Sequence, residues 1–498
     1  MTQKLILAID QGTSSTKTVL FNERGQILAK ATAVLKSYFP QAGFVEQQAA
    51  EIYRCTLNSI QKCLNHFQQT ANADLRQIKA CGISNQRETF LLWDKTGQPL
   101  TNAVVWQCKR SIKICNRLRA QGLQATVYQK TGLIIDPYFS ASKLIWLFEN
   151  EKSVRQAIQN GDAYFGTVDS WLLFKLTNGT RYFTDYTNAC RTLLFNLHDL
   201  QWDRELLRQF EFDRLNLPAV VPSAFHFGET TFEGLLAEPI PITAMIGDSH
   251  AAAFGEGCFA TGTAKATLGT GSSILLNTGD KKIVSQNGMV TTICWSTQDR
   301  VDFALEGVIV TAGATIKWLR DQLGLFAESR DTELMATAVS DNNGVYVIPA
   351  FSGLGAPFWK MDLKGAIVGL TFGADKNHLV RAALESIPFQ IKAVITAMEN
   401  DSGILLKELN VDGGITTNRF VMQLLADLLE TSVVNIGIAE VSALGACFLA
   451  GLEVGIFRDL KAIQELLTPQ FEFQPGPATE KVQADYKTWC KYIQTLIN

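Results

Sequence analysis

Two short runs in this chain place glycine and small hydroxyl-bearing residues directly after apolar strands. In LILAIDQGTSSTK the apolar run Leu5 to Ile9 leads to Asp10, Gly12, Thr13, Ser14 and Lys17. In TAKATLGTGSSILL the run Ala266 to Leu268 leads to Gly269, Thr270 and Gly271. Glycine leaves the backbone unobstructed, and successive N–H groups and hydroxyls suit phosphate oxygens. An apolar strand resumes after each turn, as a hairpin requires. One such turn reads as an ordinary hairpin; its repetition in one chain points to a nucleotide held by two halves of the molecule.

Other residue types extend that chemistry. Asp10, at a strand end, is placed for Mg2+ or its waters, with Thr13, Ser14 and Lys17 reaching phosphates from the same turn. The rival reading is an aspartate that starts the turn by bonding its own backbone. In MIGDSHAAAFGEG, Asp248 lies between an apolar strand and an alanine-rich helix, where a carboxylate can take a proton from a hydroxyl. Helix capping is the alternative, and Ser249 can cap while Asp248 reacts. GISNQRETFLLW carries Arg87 and Glu88, NAVVWQCKR carries Trp106 and DPYFSASKLIW carries Tyr138. Arginine and glutamate adjacent on a strand point to opposite faces and ordinarily form a solvated pair. Charged, aromatic and hydroxyl-bearing side chains at successive strand ends are also what a polyol pocket uses. In VDGGITTNRF, Gly413 and Gly414 let a flat base lie on the backbone and Asn418 opens a helix, although an ordinary strand-to-helix turn reads the same.

These residues need a scaffold. The pattern predicts strands at Leu5 to Ile9, Thr18 to Phe21 and Ile27 to Leu35, a turn at 22–26, a helix from Ala49 to Gln68 and a strand at Ile78 to Ile83. Such an order fits a mixed sheet flanked by helices. The second half repeats it, with strands through Leu276, Val290 to Cys294, Val301 to Leu305 and Glu408 to Val411. Helices are expected over Ala312 to Leu323, His378 to Asn400 and Asn418 to Leu429. A proline-containing loop is expected from Pro469 to Pro477. Val482, Tyr486, Trp489, Ile493 and Leu496 then make the stripe of an amphipathic helix that packs on the body.

At 498 residues the chain is too long for one ordinary core, and glycines at 255, 257 and 262 place a boundary between residues 1–254 and 255–498. A net charge of −3 with 19% charged residues gives no basic surplus for nucleic acid. The apolar run at the N-terminus is too short for a signal peptide or a membrane span. Ten scattered cysteines without a CxxC imply reduced, mostly buried thiols in a cytoplasmic protein, and five dispersed histidines suggest no zinc site.

Taken together, the motifs resemble those of the FGGY carbohydrate kinases from Leu5 to about Gly455. They include DQGTSSTK at Asp10, NQRET at Asn85, TGLIIDPYFSASK at Thr131, TDYTNACRTLLFN at Thr184, GTGSS at Gly269, EGVIVTAGATIKWLRD at Glu306, VDGGITTN at Val411 and ALGACFLAG at Ala443. The resemblance implies an α/β fold of two actin-like, ribonuclease-H-like domains with ATP and Mg2+ in the cleft between them. It implies phosphorylation of a primary hydroxyl on a small polyol, glycerol foremost. It assigns Thr13, Ser14, Lys17 and Thr270 to phosphates, Gly313 and Lys317 to the nucleotide, and Gly414 and Asn418 to the adenosine side. Arg87, Glu88, Tyr138 and Asp248 match polyol-binding positions, Trp106 an aromatic packed on the carbon chain, and Asp248 the general base. A homodimer or homotetramer is expected by the same likeness.

Two departures bear on the acceptor. Members that phosphorylate glycerol typically read GDQQAA and GTGCF where this chain reads GDSHAA and GTGSS. Ser249 therefore replaces an amide, and Ser273 replaces a phenylalanine that covers the glycerol carbons. Losing an aromatic wall and gaining hydroxyls favours a more polar occupant, so a tetritol, a pentitol or a ketose competes with glycerol. A non-enzymatic ATP-binding module of the actin type is the reading from another class, and retention of Arg87, Glu88, Trp106, Tyr138 and Asp248 counts against it. The glycine-rich regulatory loop of some relatives has no evident equivalent after Phe227, and His226 carries no assignment.

Overall fold

The computed structural model describes residues 3–70 and 73–497. The chain forms two units. The first comprises Met1–Gly257, Thr291–Phe303 and Glu440–Leu466; the second comprises Cys258–Val290, Ala304–Ala439 and Leu467–Asn498.

The first unit is built on a six-stranded sheet of β1 (Leu5–Gln11), β2 (Ser15–Asn22), β3 (Ile27–Val34), β4 (Ile78–Asn85), β5 (Ala224–Thr230) and β6 (Ile240–Gly247), in the order β5-β6-β4-β1-β2-β3. β1, β2 and β3 form an antiparallel meander, β4 joins β1 in parallel and β6 joins β4 in parallel. Leu5 through Ile9 are all 0% exposed because both faces of the sheet are covered. Leu5, Leu7 and Ile9 share a core with Ile52, Ile60 and Leu64 of the helix Ala49–Gln68. The opposite face receives the helix Val441–Glu453, whose Gly451 lies against Ile6. That helix sits so close to β4 that a Cβ on Gly82 would be 2.2 Å from the Ala446 carbonyl oxygen. Each large aliphatic side chain buried this way contributes roughly 1.5–3 kcal/mol.

The second unit repeats the plan. β7 (Thr263–Leu268), β8 (Ser272–Gly279), β10 (Val301–Ile309), β11 (Glu408–Asp412), β12 (Ser432–Asn435) and β13 (Phe471–Phe473) run in the order β10-β8-β7-β11-β12-β13, whereas β9 (Val290–Ser296) belongs, but for its first residue, to the first unit. β7 and β8 are antiparallel, β11 is parallel to β7, β12 is parallel to β11, and the edge strand β13 is antiparallel, as β5 is in the first sheet. Alternation sorts the faces: Ala264, Ala266, Leu268, Leu409 and Val411 enter the core with the helix Lys376–Ser402, leaving Lys265, Thr267, Asn410 and Asp412 on the other side.

The expected helix from Ala49 to Gln68 is present with those ends. The segment expected to be a loop, Pro469 to Pro477, instead contributes β13, because Phe473 alternates into the core while proline stays outside the paired residues. The terminal helix Thr479–Ile497 buries Val482, Trp489 and Ile493, but Leu496 is exposed, so the apolar stripe ends one turn early. All ten cysteines are free thiols; nine are buried and Cys490 is partly so. No helix among the described residues is long and apolar enough to cross a membrane.

Candidate functional site

The first phosphate-type turn is a tight β1–β2 hairpin end, closed by the Gly12 N–H donating to the Ser15 carbonyl at 2.9 Å. Asp10 does not begin the turn by bonding its own backbone. It lies inside the paired strands, in register with Lys17 and Ser84, and accepts the Ser84 hydroxyl at 3.1 Å. Burial pushes its carboxyl up to about 6, helped by the charge of Asp248 and opposed by Lys17. Asp248 therefore stands near enough to be felt, at the first position of the helix Asp248–Gly255. The N-cap is Gly247, which offers no side chain, so neither Asp248 nor Ser249 is the cap. The Asp248 carboxylate is 3.3 Å from Arg87 Nε and accepts the Ser249 N–H at 2.6 Å. Gly247 is required there, because a Cβ would be 2.7 Å from Arg87 Cγ.

Arg87 and Glu88 are not a solvated pair on a strand. β4 ends at Asn85, and Glu88 has φ 58, a left-handed conformation costing roughly 1–2 kcal/mol in a side-chain-bearing residue. The turn breaks the alternation and sends both side chains inward, 5% and 1% exposed. Glu88 accepts Arg191 Nε at 2.6 Å, and Arg191 is itself 1% exposed. Trp106 donates its indole N–H to the Thr13 hydroxyl at 2.9 Å and packs edge-on against Tyr138, with centroids 5.5 Å apart. An aromatic wall thereby touches the phosphate-type turn directly. Gln86 ties the same region together, accepting from Thr13 and Thr89 and donating to Gln11 and Gln47.

Behind these residues lies a fully buried lysine that sequence reading did not select. Lys143 donates to the Pro137 carbonyl at 2.7 Å and the Tyr138 carbonyl at 2.6 Å, and burial pulls its ammonium down to about 7 despite the nearby Glu88. A second buried network links Asn85, the last residue of β4, with Gly247, the residue before Asp248. Asp185 accepts from Thr187, Asn188 and Ser223, while Asn188 bonds Asn85 and Thr187 accepts the Gly247 N–H at 2.9 Å. Asp169 accepts Thr167 and Thr184 hydroxyls, and burial with the neighbouring Asp185 raises its carboxyl to about 6.

In the second unit, Thr270, Gly313, Lys317, Gly414 and Asn418 line one cavity of about 440 Å³. Its walls are largely backbone. The Gly313 N–H donates to Gly269 and the Ala314 N–H to Thr270, so the helix Gly313–Asp321 starts against the glycine turn. A Cβ on Gly313 would be 2.7 Å from the Gly269 carbonyl oxygen, whereas one on Gly414 would meet nothing within 4 Å. Asn418 caps the helix Arg419–Leu429 by accepting the Val421 N–H at 3.1 Å. Arg330, Thr332 and Glu333 also line the cavity and were not selected from the sequence, lying in a stretch without turn or spacing motif. Ile316, Leu384 and Ile415 supply apolar walls. Outside this cavity, Ser273 donates to Glu306 at 3.1 Å, and Glu306 is 1% exposed. Ser249 is partly buried on the Asp248 helix. Ser14 is exposed in the first turn, and Lys17 bonds Glu440.

No group of three or more His, Cys, Asp or Glu side chains suited to a metal occurs among the described residues. Asp10, whose carboxyl is pushed up by burial and by the charge of Asp248, fits Mg2+, which keeps several waters and is completed by substrate phosphates.

The sequence matches two domain descriptions: "FGGY family of carbohydrate kinases, N-terminal domain" over residues 5–255, and the corresponding C-terminal domain over residues 264–454. A glycerol kinase of Brevibacillus brevis is 46% identical over 492 residues, covering 98% of this chain and 97% of that protein. A glycerol kinase of Bacillus anthracis is 44% identical over 493 residues, covering 99% of each. Among solved structures, Plasmodium falciparum glycerol kinase with ADP superposes with a TM-score of 0.94 at 34% identity, covering 100% of this chain and 99% of that one. A gluconate kinase from Lactobacillus acidophilus shares the fold, with a TM-score of 0.88 at 23% identity, covering 100% of this chain and 99% of that one.

Proposed function

The chain belongs to the FGGY family of carbohydrate kinases, and from that premise we propose that it transfers the γ-phosphoryl group of ATP to a primary hydroxyl of glycerol, giving glycerol 3-phosphate. The observation that carries this reading is the cluster of Asp248, Arg87, Glu88, Trp106 and Tyr138 beside the Asp10 turn in one unit.

Asp248 accepts the hydroxyl proton as the oxygen attacks phosphorus, and Arg87, 3.3 Å away, fixes the carboxylate. Glu88, held by Arg191, accepts polyol hydroxyls, while Trp106 and Tyr138 cover the carbon chain. Thr13, Ser14, Lys17 and Thr270 are assigned to phosphate oxygens. Gly313, Lys317, Gly414 and Asn418 take the remainder of the nucleotide in their shared cavity. In this division residues 1–254 bring the acceptor and the first phosphate turn, and 255–498 bring the nucleotide pocket. Asp10 would hold Mg2+, which would supply charge neutralisation at the phosphates. The proposal extends to a cytoplasmic location and to a homodimer or homotetramer, the latter measured by light scattering.

A second reading has a specific observation behind it. Ser273 presents a hydroxyl bonded to Glu306, and Ser249 stands beside Asp248, so both altered positions are polar and small. These favour a tetritol, pentitol or pentulose. Turnover on a panel of polyols and ketoses with ATP and Mg2+ decides between the two. Glycerol gives the highest kcat/KM under the first reading; a four- or five-carbon acceptor better by orders of magnitude replaces it with the second.

A further inference from the structure

Glu440 stands at the point where the chain re-enters the first unit, as the N-cap of the helix Val441–Glu453. Its side chain is 10% exposed. One carboxylate oxygen is 2.7 Å from Lys17 Nζ and the other is 3.6 Å from Lys30 Nζ. Lys17 and Lys30 belong to β2 and β3, the strands that continue the first phosphate turn. Lys17 also sits opposite Asp10 in the β1–β2 register, so an unheld ammonium has the Asp10 carboxylate as its other neighbour.

The same helix turn reaches Asp248. Ser442, two residues after Glu440, donates its hydroxyl to the Asp248 carbonyl at 3.1 Å. One turn later the Asp248 helix and this one touch through glycine: a Cβ on Gly445 would lie 1.8 Å from the Ala251 carbonyl oxygen, and one on Gly255 would lie 2.4 Å from that of Val441. Contacts this close leave no freedom for one helix to slide on the other. The start of Val441–Glu453 therefore grips the phosphate hairpin through Glu440 and the Asp248 helix through Ser442 and Gly445.

We propose that Glu440 is a positioning residue for phosphoryl transfer, one that holds the Lys17 ammonium away from Asp10 and ordered before the triphosphate arrives. This inference rests on the kinase reading. A lysine stem is rich in rotamers, and a partner that orders it beforehand removes part of the entropy loss from ligand binding. Pairing with Lys30 as well leaves the trio of Lys17, Lys30 and Glu440 with one net positive charge, so holding Lys17 does not cancel the attraction for phosphate. Asp10 is left available to a cation.

The test is a double-mutant cycle of Glu440→Ala and Lys17→Met, read as the affinity for a non-hydrolysable ATP analogue with Mg2+ by calorimetry and, separately, as kcat. Glu440→Ala is expected to weaken analogue binding about tenfold, and less than about twofold when Lys17 is already methionine. Glu440→Gln, whose amide oxygen still accepts from Lys17, recovers most of the affinity and carries the test if the alanine variant unfolds. Equal losses in both Lys17 backgrounds, or unchanged affinity in Glu440→Ala, overturn the proposal. Because analogue binding needs no acceptor, failure of the kinase reading shows separately, as wild-type protein with no turnover on any polyol or ketose.

Discussion

The two clusters are made of different material. In the first unit the proposed acceptor and phosphate residues are charged side chains packed against others: Glu88 with Arg191, Asp248 with Arg87, Lys17 with Glu440. In the second unit the cavity is made of glycine turns, helix starts and aliphatic walls, with Gly414 facing open space. A group that must move a proton needs a fixed, partly desolvated charge, which only paired side chains can supply. A nucleotide needs shape and backbone donors, which tolerate exposure.

That contrast can be broken most severely at Asp248. Asp248→Asn should lower kcat by about 10²–10⁴, the range for loss of a general base, with nucleotide affinity measured by calorimetry within a factor of two of wild type. Near-normal turnover would show that the charged cluster is not where protons move. Arg191→Met should come next, costing about 3–5 kcal/mol of unfolding free energy, because buried Glu88 would lose the guanidinium 2.6 Å from it. Adding Glu88→Gln to that variant should restore much of the stability and none of the activity, as followed by denaturant titration and polyol turnover.

In the second unit the effects should be smaller and geometric. Gly313→Ala meets a carbonyl oxygen at 2.7 Å and should weaken ATP by roughly tenfold, while Gly414→Ala meets nothing within 4 Å and should leave stability within about 0.5 kcal/mol. Equal behaviour of the two would mean that backbone closeness does not shape the pocket.

The smallest effect concerns acid. Asp169 has a carboxyl near 6 when folded, above the unfolded value of 3.8, so the folded state holds more protons between those limits. Its contribution to stability is therefore fully present below pH 3.8 and is lost as pH rises through 6. Asp169→Asn should remove that slope, and the difference between variant and wild-type unfolding free energies should change between pH 4 and 6 and be flat above pH 7.

How much of this was readable beforehand divides along the same line. The second cavity was legible in part because Thr270, Gly414 and Asn418 sit in turn motifs, and a glycine turn announces its geometry locally, whereas Gly313 and Lys317, on a helix, followed only from the family resemblance. The helix Ala49–Gln68 and the hairpin strands were legible from period alone. The pairings of the first unit were not. Glu88 meets Arg191 across 103 residues, and Lys17 meets Glu440 across 423. No local pattern records such distances. Alternation even misled at Arg87 and Glu88, since a left-handed residue after β4 reverses the side-chain direction that a strand would impose. Lys143 was hidden for the opposite reason: a lysine on a helix is expected in water, and only the fold shows two carbonyls waiting for it.

The thiols give the molecule a built-in reporter. Nine of ten are buried, and burial alone pushes Cys81 and Cys447 well above the ordinary thiol range, leaving almost no nucleophilic anion at neutral pH. A disulfide reagent added to native protein should label Cys490 first, then stall. Each further equivalent consumed times an excursion in which a sheet or helix has let go. Cys81 on β4 and Cys447 on the glycine-packed helix beside it would mark the opening of the very wall against which Lys17, Glu440 and Asp248 are braced.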